Sequence, residues 1–426
     1  MKNSILFIAI QISVFLFFPV LLLAQNDTIP KDTTKNVMKS NAQLYYSQTL
    51  SGSSLTEYID KEYPNSIPIP GTNIRLAIGG YVKTDFIVDL DYVGDRSEFV
   101  TGTIGLDGSP ESKLGGQTTF HAKESRLSFD FRGKSKSNIP MRAYIEFDFF
   151  GTENPYDYTP HLRIATITVG KLTIGQNWIT LMDLNALPTT IDFEFGDALV
   201  FKRAVQIRYE RSAGKHFKWA AAIEGPASSI DNPYELDGQA MLYLPSITGR
   251  IIWNHSLGHI QLAAQGLPHR FVSDSLGTST AMGGGIHFSG ALKFAKYDRF
   301  MWGIAYGNGW GQNIAAVAGP GADAVINSNG TLTTMTVFNF YLGVEHYWLS
   351  NLASTLSVNW AELLSPVNRT SDEQELGATV HANIRWGVFK RFSVGVEYMA
   401  GKQRIVDGTE GFGQRIQFGA RLNFTD

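Results

Sequence analysis

The chain has 426 residues, with 36 basic and 39 acidic side chains, no cysteine, 42 glycines and 12 % aromatic residues. Near-neutral charge excludes the concentrated basic surface that a nucleic-acid binder needs, and zero cysteine excludes disulfides, thiolate metal sites and cysteine nucleophiles. An ordinary apolar fraction with modest proline excludes both a helical membrane protein and a disordered chain.

Met1-Lys-Asn-Ser4 is followed by an apolar run from Ile5 to Leu23 and a small residue, Ala24, with polar sequence at once beyond it. That order predicts a secretory signal peptide over residues 1–24. Residues 25–73 are polar, rich in Ser, Thr and Asn, and include Ile67-Pro-Ile-Pro-Gly71. They are expected to form a periplasmic N-terminal segment with at most a short helix near Leu55 to Glu62.

From Ile74 the hydrophobic period becomes two. Leu76, Ile78, Val82, Phe86 and Val88 alternate with Arg75, Lys83, Asp85 and Asp89, which describes a strand with one apolar and one wet face. About sixteen such segments follow one another, near 74–90, 118–132, 140–150, 160–169, 172–179, 203–212, 216–225, 245–256, 259–267, 280–292, 298–306, 334–348, 352–363, 375–389, 392–404 and 413–424. A soluble sandwich of that many strands would divide into domains joined by linkers, and no linker composition occurs between 74 and 424. The expected fold is therefore all-β: one transmembrane antiparallel β-barrel over residues 74–426, apolar side to outer-membrane lipid and polar side to water. Short connections such as Gly170-Lys171, Leu257-Gly258 and Ser350-Asn351 alternate with long ones, as expected of a periplasmic rim of turns and an extracellular rim of loops. Trp302, Tyr347, Trp348, Trp360, Trp386 and Tyr398 fall toward strand ends and suit interfacial aromatic girdles.

One connection stands apart. Residues 179–201 contain Leu181, Met182, Leu184, Leu187, Ile191, Phe193, Phe195 and Phe201, four carboxylates (Asp183, Asp192, Glu194, Asp197) and no basic residue. A segment this apolar has to lie against other protein. It is expected to fold into the barrel as a constriction loop, its carboxylates facing basic residues on the wall.

Several phrases resemble the DcaP-like porins of Gram-negative outer membranes: Gly79-Gly-Tyr-Val-Lys-Thr-Asp85, Glu124-Ser-Arg-Leu-Ser-Phe-Asp130, Ala143-Tyr-Ile-Glu-Phe-Asp-Phe-Phe-Gly151, Gly175-Gln-Asn-Trp178 running on to Asp192-Phe-Glu194, and Gln206-Ile-Arg-Tyr209. The resemblance implies a homotrimer of sixteen-stranded pores admitting small solutes, with dicarboxylates as the substrate class of some members.

On the wet faces, Arg126, Arg132 and Arg142 come from adjacent strands and Arg208 from the strand after the insert; Arg163 joins them, although its strand alternates poorly. Guanidinium groups stay charged and bind carboxylates in bidentate fashion, so an arginine ladder opposite Asp183, Asp192 and Glu194 would guide a dianion along the basic wall. The competing reading has these arginines neutralised by Glu124, Asp130, Glu146 and Asp148 on the same faces. Glu146 and Asp148 stand i and i+2 on one face, a spacing that also suits a hydrolytic pair, but porin walls carry such pairs routinely, and no enzymatic role is expected. Gly283-Gly-Gly285 lies within a strand and marks a close approach, as at a subunit contact. No cofactor is expected, and no metal-ligand cluster stands out, Asp89, Asp91 and Asp95 offering at most a weak Ca²⁺ site. The expected function is passive diffusion of small hydrophilic, preferentially anionic solutes across the outer membrane. The alternative is a barrel plugged by its loops, structural or adhesive in role.

Overall fold

The computed structural model describes residues 66–295, 297–364, 369–370 and 372–424; the expected signal peptide and the short helix near 55–62 lie outside them. Sixteen strands in chain order form one wall. They are β1 (Arg75–Asp89), β2 in two pieces (Gln117–His121 and Arg126–Lys134), β3 (Pro140–Asp148), β4 (His161–Val169), β5 (Leu172–Trp178), β6 (Arg203–Ala213), β7 (Phe217–Glu224) and β8 (Ser246–His255). Then come β9 (Gly258–Ser273), β10 (Gly277–Lys293), β11 (Arg299–Asn308), β12 (Thr336–Leu349), β13 (Leu352–Leu363), β14 (Gln374–Gly387), β15 (Phe392–Ile405) and β16 (Glu410–Asn423). Each strand pairs antiparallel with the next, and β16 closes on β1 in a register running from Tyr81↔Asn423 to Asp89↔Arg415. Closure leaves no unpaired edge, the condition for crossing a bilayer with strands.

Burial runs opposite to that of a soluble protein. On β9, Gln261, Gln265 and His269 are buried while Leu262 is 54 % exposed. On β6, Gln206 is buried while Val205 and Ile207 face outward. The apolar stripe is thus the outer surface, and the polar stripe lines the inside. Toward the turn rim, Tyr209, Trp219, Trp253, Trp348 and Trp386 are exposed on the outer face and supply an aromatic belt. Tyr347 does not join it: its hydroxyl turns inward and donates to Glu345 at 3.3 Å.

Turns such as 170–171, 256–257 and 350–351 are tight, and the opposite rim carries the connections 90–116, 149–160, 179–202, 225–245 and 309–335. The expected alternation of long and short breaks twice, because 274–276 and 406–409 on the loop rim are tight turns as well. Near the turn rim, Ser66–Pro68 adds itself to the lower end of β1, with Ser66 opposite Ala77, so the end of the polar lead-in belongs to the wall.

More loops enter the barrel than the one expected: the 90–116 loop buries Val93, Phe99 and Ile104 against Met399 of the wall, and a further loop accompanies the insert. The 179–201 insert folds inward, and 309–335 folds in beside it; Val200 bridges to Ile314, Phe201 N donates to Asn313 O at 3.0 Å and Ala315 N to Leu199 O at 3.1 Å. Leu181, Met182, Leu199 and Val200 of the insert pack with Trp310, Ile314 and Val317 of the second loop and with Val337 and Tyr341 of the wall in one buried cluster. That burial is what holds the insert inside. The glycines of β10 make room for it. A Cβ on Gly285 would lie 2.5 Å from the Trp310 ring, and one on Gly283 would lie 2.2 Å from Gly309 O. The close approach of Gly283 and Gly285 is to the second inward loop.

Candidate pore and constriction

The wall of β2, β3 and β4 carries the expected arginines, each already engaged. Arg132 and Arg142 both donate to Asp130, Arg142 Nη2 at 2.8 Å. Arg163 reaches Glu146 through Nε at 3.0 Å and Asp148 through Nη1 at 2.5 Å, while Arg126 stands 3.7 Å from Glu146. The same-face neutralisation weighed from the sequence is therefore the observed geometry for these four. The poor alternation around Arg163 has a local cause: a β-bulge shifts the β3–β4 register between Glu146 and Phe147, so that Arg163 and Ile164 are both buried. Arg208 serves the insert differently. Its Nε donates to Thr180 Oγ1 at 3.0 Å and its Nη2 to Trp178 O, which fixes the point where the chain leaves β5.

The insert's acids do not pair with these arginines. Asp183 accepts from Ser289 Oγ at 2.8 Å, lies 2.8 Å from His259 Nε2, and caps Asn185 N. Burial by itself would raise its pKa, but the contacts with His259 and Ser289 outweigh this and hold it below the ordinary value. Asp192 accepts from Phe99 N at 3.2 Å and Glu194 N at 3.0 Å, and burial lifts it to about 6. Asp197 accepts from Thr101 N at 2.8 Å. The first loop, 90–116, is thereby tied to the insert through carboxylate–amide bonds. Asp89 pairs with Arg415 at 2.5 Å, Asp91 accepts from Gln414 at 3.1 Å, and Asp95 caps Ser97 N and Glu98 N at 2.8 Å, so these three are spent on local structure. No group of three or more candidate metal ligands occurs among the described residues.

A small space of about 30 Å³ lies between the tip of the insert, Leu184 to Phe195, and the wall residues Tyr81, Glu124, Arg126 and Arg421. The guanidinium carbons of Arg126 and Arg421 lie 5.3 and 3.7 Å from the Tyr81 ring centroid. Lys83 braces the same point: it pairs with Glu124, stands 3.1 Å from Asp85, and donates to Ile191 O at 2.5 Å. Above, toward the loop rim, two wider spaces share His161, Phe201 and Arg203: one of about 170 Å³ that also meets Asp95, Glu98, Lys123 and Glu194, and one of about 360 Å³ against Gln176, Trp178 and Lys202. The sequence reading missed Lys83, Arg203 and Arg421 as pore residues. Lys83 and Arg421 sit on the polar stripe of their strands and could have been found by that rule; Arg203, beside the insert, has no such signal.

A closed antiparallel barrel with an apolar outer face, a polar inner face and a loop folded across its interior is an outer-membrane β-barrel of the porin class. The profile of the DcaP outer membrane protein family matches residues 38–424, and the chain belongs to that family. The crystal structure of the outer membrane channel DcaP of Acinetobacter baumannii shares the fold with a TM-score of 0.74 at 18 % identity, over 85 % of this chain and 100 % of that one. An anion-selective porin from Comamonas acidovorans matches with a TM-score of 0.54 at 10 % identity, over 82 % of this chain and 100 % of that one. OmpT of Vibrio cholerae in a trimer form matches with a TM-score of 0.50 at 10 % identity, over 83 % and 100 %. No curated protein matches the chain.

Proposed function

We propose that this outer-membrane barrel is a diffusion channel for small hydrophilic solutes that favours anions of the dicarboxylate type, and that it works as a homotrimer after removal of residues 1–24. The observation that carries the reading is the line of guanidinium groups down one wall, Arg203 and Arg163 near the loop rim, Arg126 and Arg421 beside the tip of the insert, Arg142 and Arg132 near the turns. Pairing with Asp130, Glu146 and Asp148 offsets part of this charge, and the guanidinium edges that still face the path lower the energy of an anion and raise that of a cation. The anion selectivity named for the Comamonas acidovorans porin and the trimer form of Vibrio cholerae OmpT point the same way. In planar bilayers under a KCl gradient the expected zero-current potential has the sign of anion preference, and proteoliposomes are expected to admit succinate faster than succinamide. Absence of conducting steps, or cation preference, would refute the reading.

A second reading keeps a specific observation of its own. The inward loops pack with the wall in one buried cluster, and the space between the insert tip and the wall is about 30 Å³, which suits a plugged barrel of structural or adhesive role. Deleting Asp183 to Gly196 separates the two. Conductance rises in a channel narrowed by its insert and stays absent in a barrel plugged by all its loops.

A further inference from the structure

Arg203 differs from the arginines of β2, β3 and β4 below it. Arg163 holds two carboxylates, Arg126 faces one, and Arg132 and Arg142 share Asp130. No carboxylate stands within ion-pair distance of Arg203 among the described residues, and its Nη1, shielded from solvent, has no hydrogen-bond partner. Around this point three guanidiniums (Arg126, Arg163, Arg203) meet two carboxylates (Glu146, Asp148), and both carboxylates are taken by the first two. Arg203 is therefore the one of these three left without a carboxylate partner; Asp95, Glu98, Lys123 and Glu194 line its other, smaller cavity, and none of these acids stands within ion-pair distance of it.

The group is also held in place. Its guanidinium carbon lies 4.8 Å from the Trp178 ring centroid, and Trp178 in turn packs on Phe201 at 4.8 Å between centroids. Stacking fixes the plane of the fork while leaving its edge for a planar anion. That edge adjoins the cavity of about 360 Å³ formed with His161, Gln176, Phe201 and Lys202. Lys202 makes a 3.4 Å contact to Gln312 O and no ion pair among the described residues, so a second cation stands beside the first. A half-covered guanidinium without an acceptor is costly, and a carboxylate arriving from outside removes that cost.

We infer that Arg203, oriented by Trp178 and assisted by Lys202, is the capture site for a carboxylate group at the extracellular mouth, where an entering solute is bound before it meets the constriction. This rests on the anionic reading above and adds the residue that receives the anion first. The carboxylate is exchanged from Arg203 to the partly neutralised Arg163 and Arg126 below, so binding is strongest at the entrance and weaker inside, an order that favours entry without trapping.

The test uses the full-length protein in bilayers and proteoliposomes, with succinate as probe and succinamide as its neutral counterpart. In Arg203→Gln, the succinate concentration giving half-maximal flux is expected to rise about tenfold, the usual consequence of losing one charge-assisted pair, while succinamide flux is unchanged. Arg203→Lys keeps the charge and loses the fork, so an intermediate rise is expected; it also serves if the glutamine variant fails to insert. Unchanged half-saturation in both variants of a channel that still prefers anions overturns the capture site and leaves the proposed function standing. A wild-type channel without anion preference removes that function, and this inference with it.

Discussion

Glu98 of the first loop and Glu194 of the insert are hydrogen-bonded carboxyl to carboxyl inside the mouth of the barrel. Burial, reinforced by Asp192 and Asp95 nearby, pushes Glu194 up to about 8 and Glu98 well above its ordinary value. Two carboxyls can keep such a bond only while they share a proton. Because both are raised above the range of a free glutamate, the folded state holds more protons than an unfolded one across the interval from about 4.5 to about 8. The contact between the loops is therefore at full strength below that interval and is lost as pH rises through about 8. Protection of the Phe99 and Thr101 amides, the ratio of intrinsic to observed exchange rate, is expected to fall across it, and Glu194→Gln, which needs no shared proton, to flatten the response. Equal protection at pH 6 and pH 9 in the wild type would count against the shared proton.

The strands were legible because the period of two is imposed by the pleat and by two different solvents on its two sides, and each of the sixteen segments read from the sequence overlaps a barrel strand. The insert was legible by a mismatch: Leu181, Met182 and Leu187 do not belong in a solvated loop, and all three are buried. The same mismatch exists in 309–335, where Trp310, Ile314, Val317, Val325 and Ile326 accompany a single charged residue, Asp323. There it is diluted by Ala, Gly and Asn, and the inward fold of this second loop went unread. Charge partners were less accessible still. Asp183 finds His259 and Ser289 across 76 and 106 residues, and a strand pattern states which face a residue occupies, not which residue of a distant strand or loop lies opposite.

The lumen core makes the insert a folded element and not a flap. Leu181 is fully buried between the wall and the second inward loop, and Gln261 Nε2 and His287 Nδ1 lie 2.8 and 2.9 Å from its carbonyl oxygen. Leu181→Ala keeps those backbone contacts and opens a cavity, a loss of about 2–5 kcal/mol. The temperature at which the purified protein loses its compact migration on a semi-native gel is expected to fall by several degrees, with noisier single-channel currents. A variant as stable and as quiet as wild type would mean that the insert is only loosely lodged.

Gly285 and Trp310 offer a way to move the second loop without touching the insert. The indole of Trp310 occupies the space a Gly285 side chain would need and donates to Gln265 Oε1 at 2.9 Å. Gly285→Val forces the ring away at a cost of about 1–3 kcal/mol. Since 309–335 is zipped to Leu199 and Phe201, its displacement is expected to loosen the insert and raise single-channel conductance. Unaltered conductance, with the variant shown to be inserted and folded, would separate the second loop from control of the pore.

Asp130 neutralises two of the stripe's arginines at once, since Arg132 and Arg142 both donate to it close to the turn rim. Asp130→Asn removes one negative charge from that wall and leaves two guanidiniums facing the lumen, so the local field there becomes more positive by one unit. Arg142→Gln does the reverse and leaves Asp130 with Arg132 alone. In a narrow water-filled path these changes act on permeating ions more than on stability, because the freed groups can be hydrated from the lumen. The zero-current potential under a KCl gradient is expected to move toward stronger anion preference for Asp130→Asn and away from it for Arg142→Gln, both shifts shrinking as salt is raised. Opposite signs place the β2–β3 wall on the ion path; two null shifts in folded, conducting variants would place the path elsewhere and reduce this pair to a brace of the barrel.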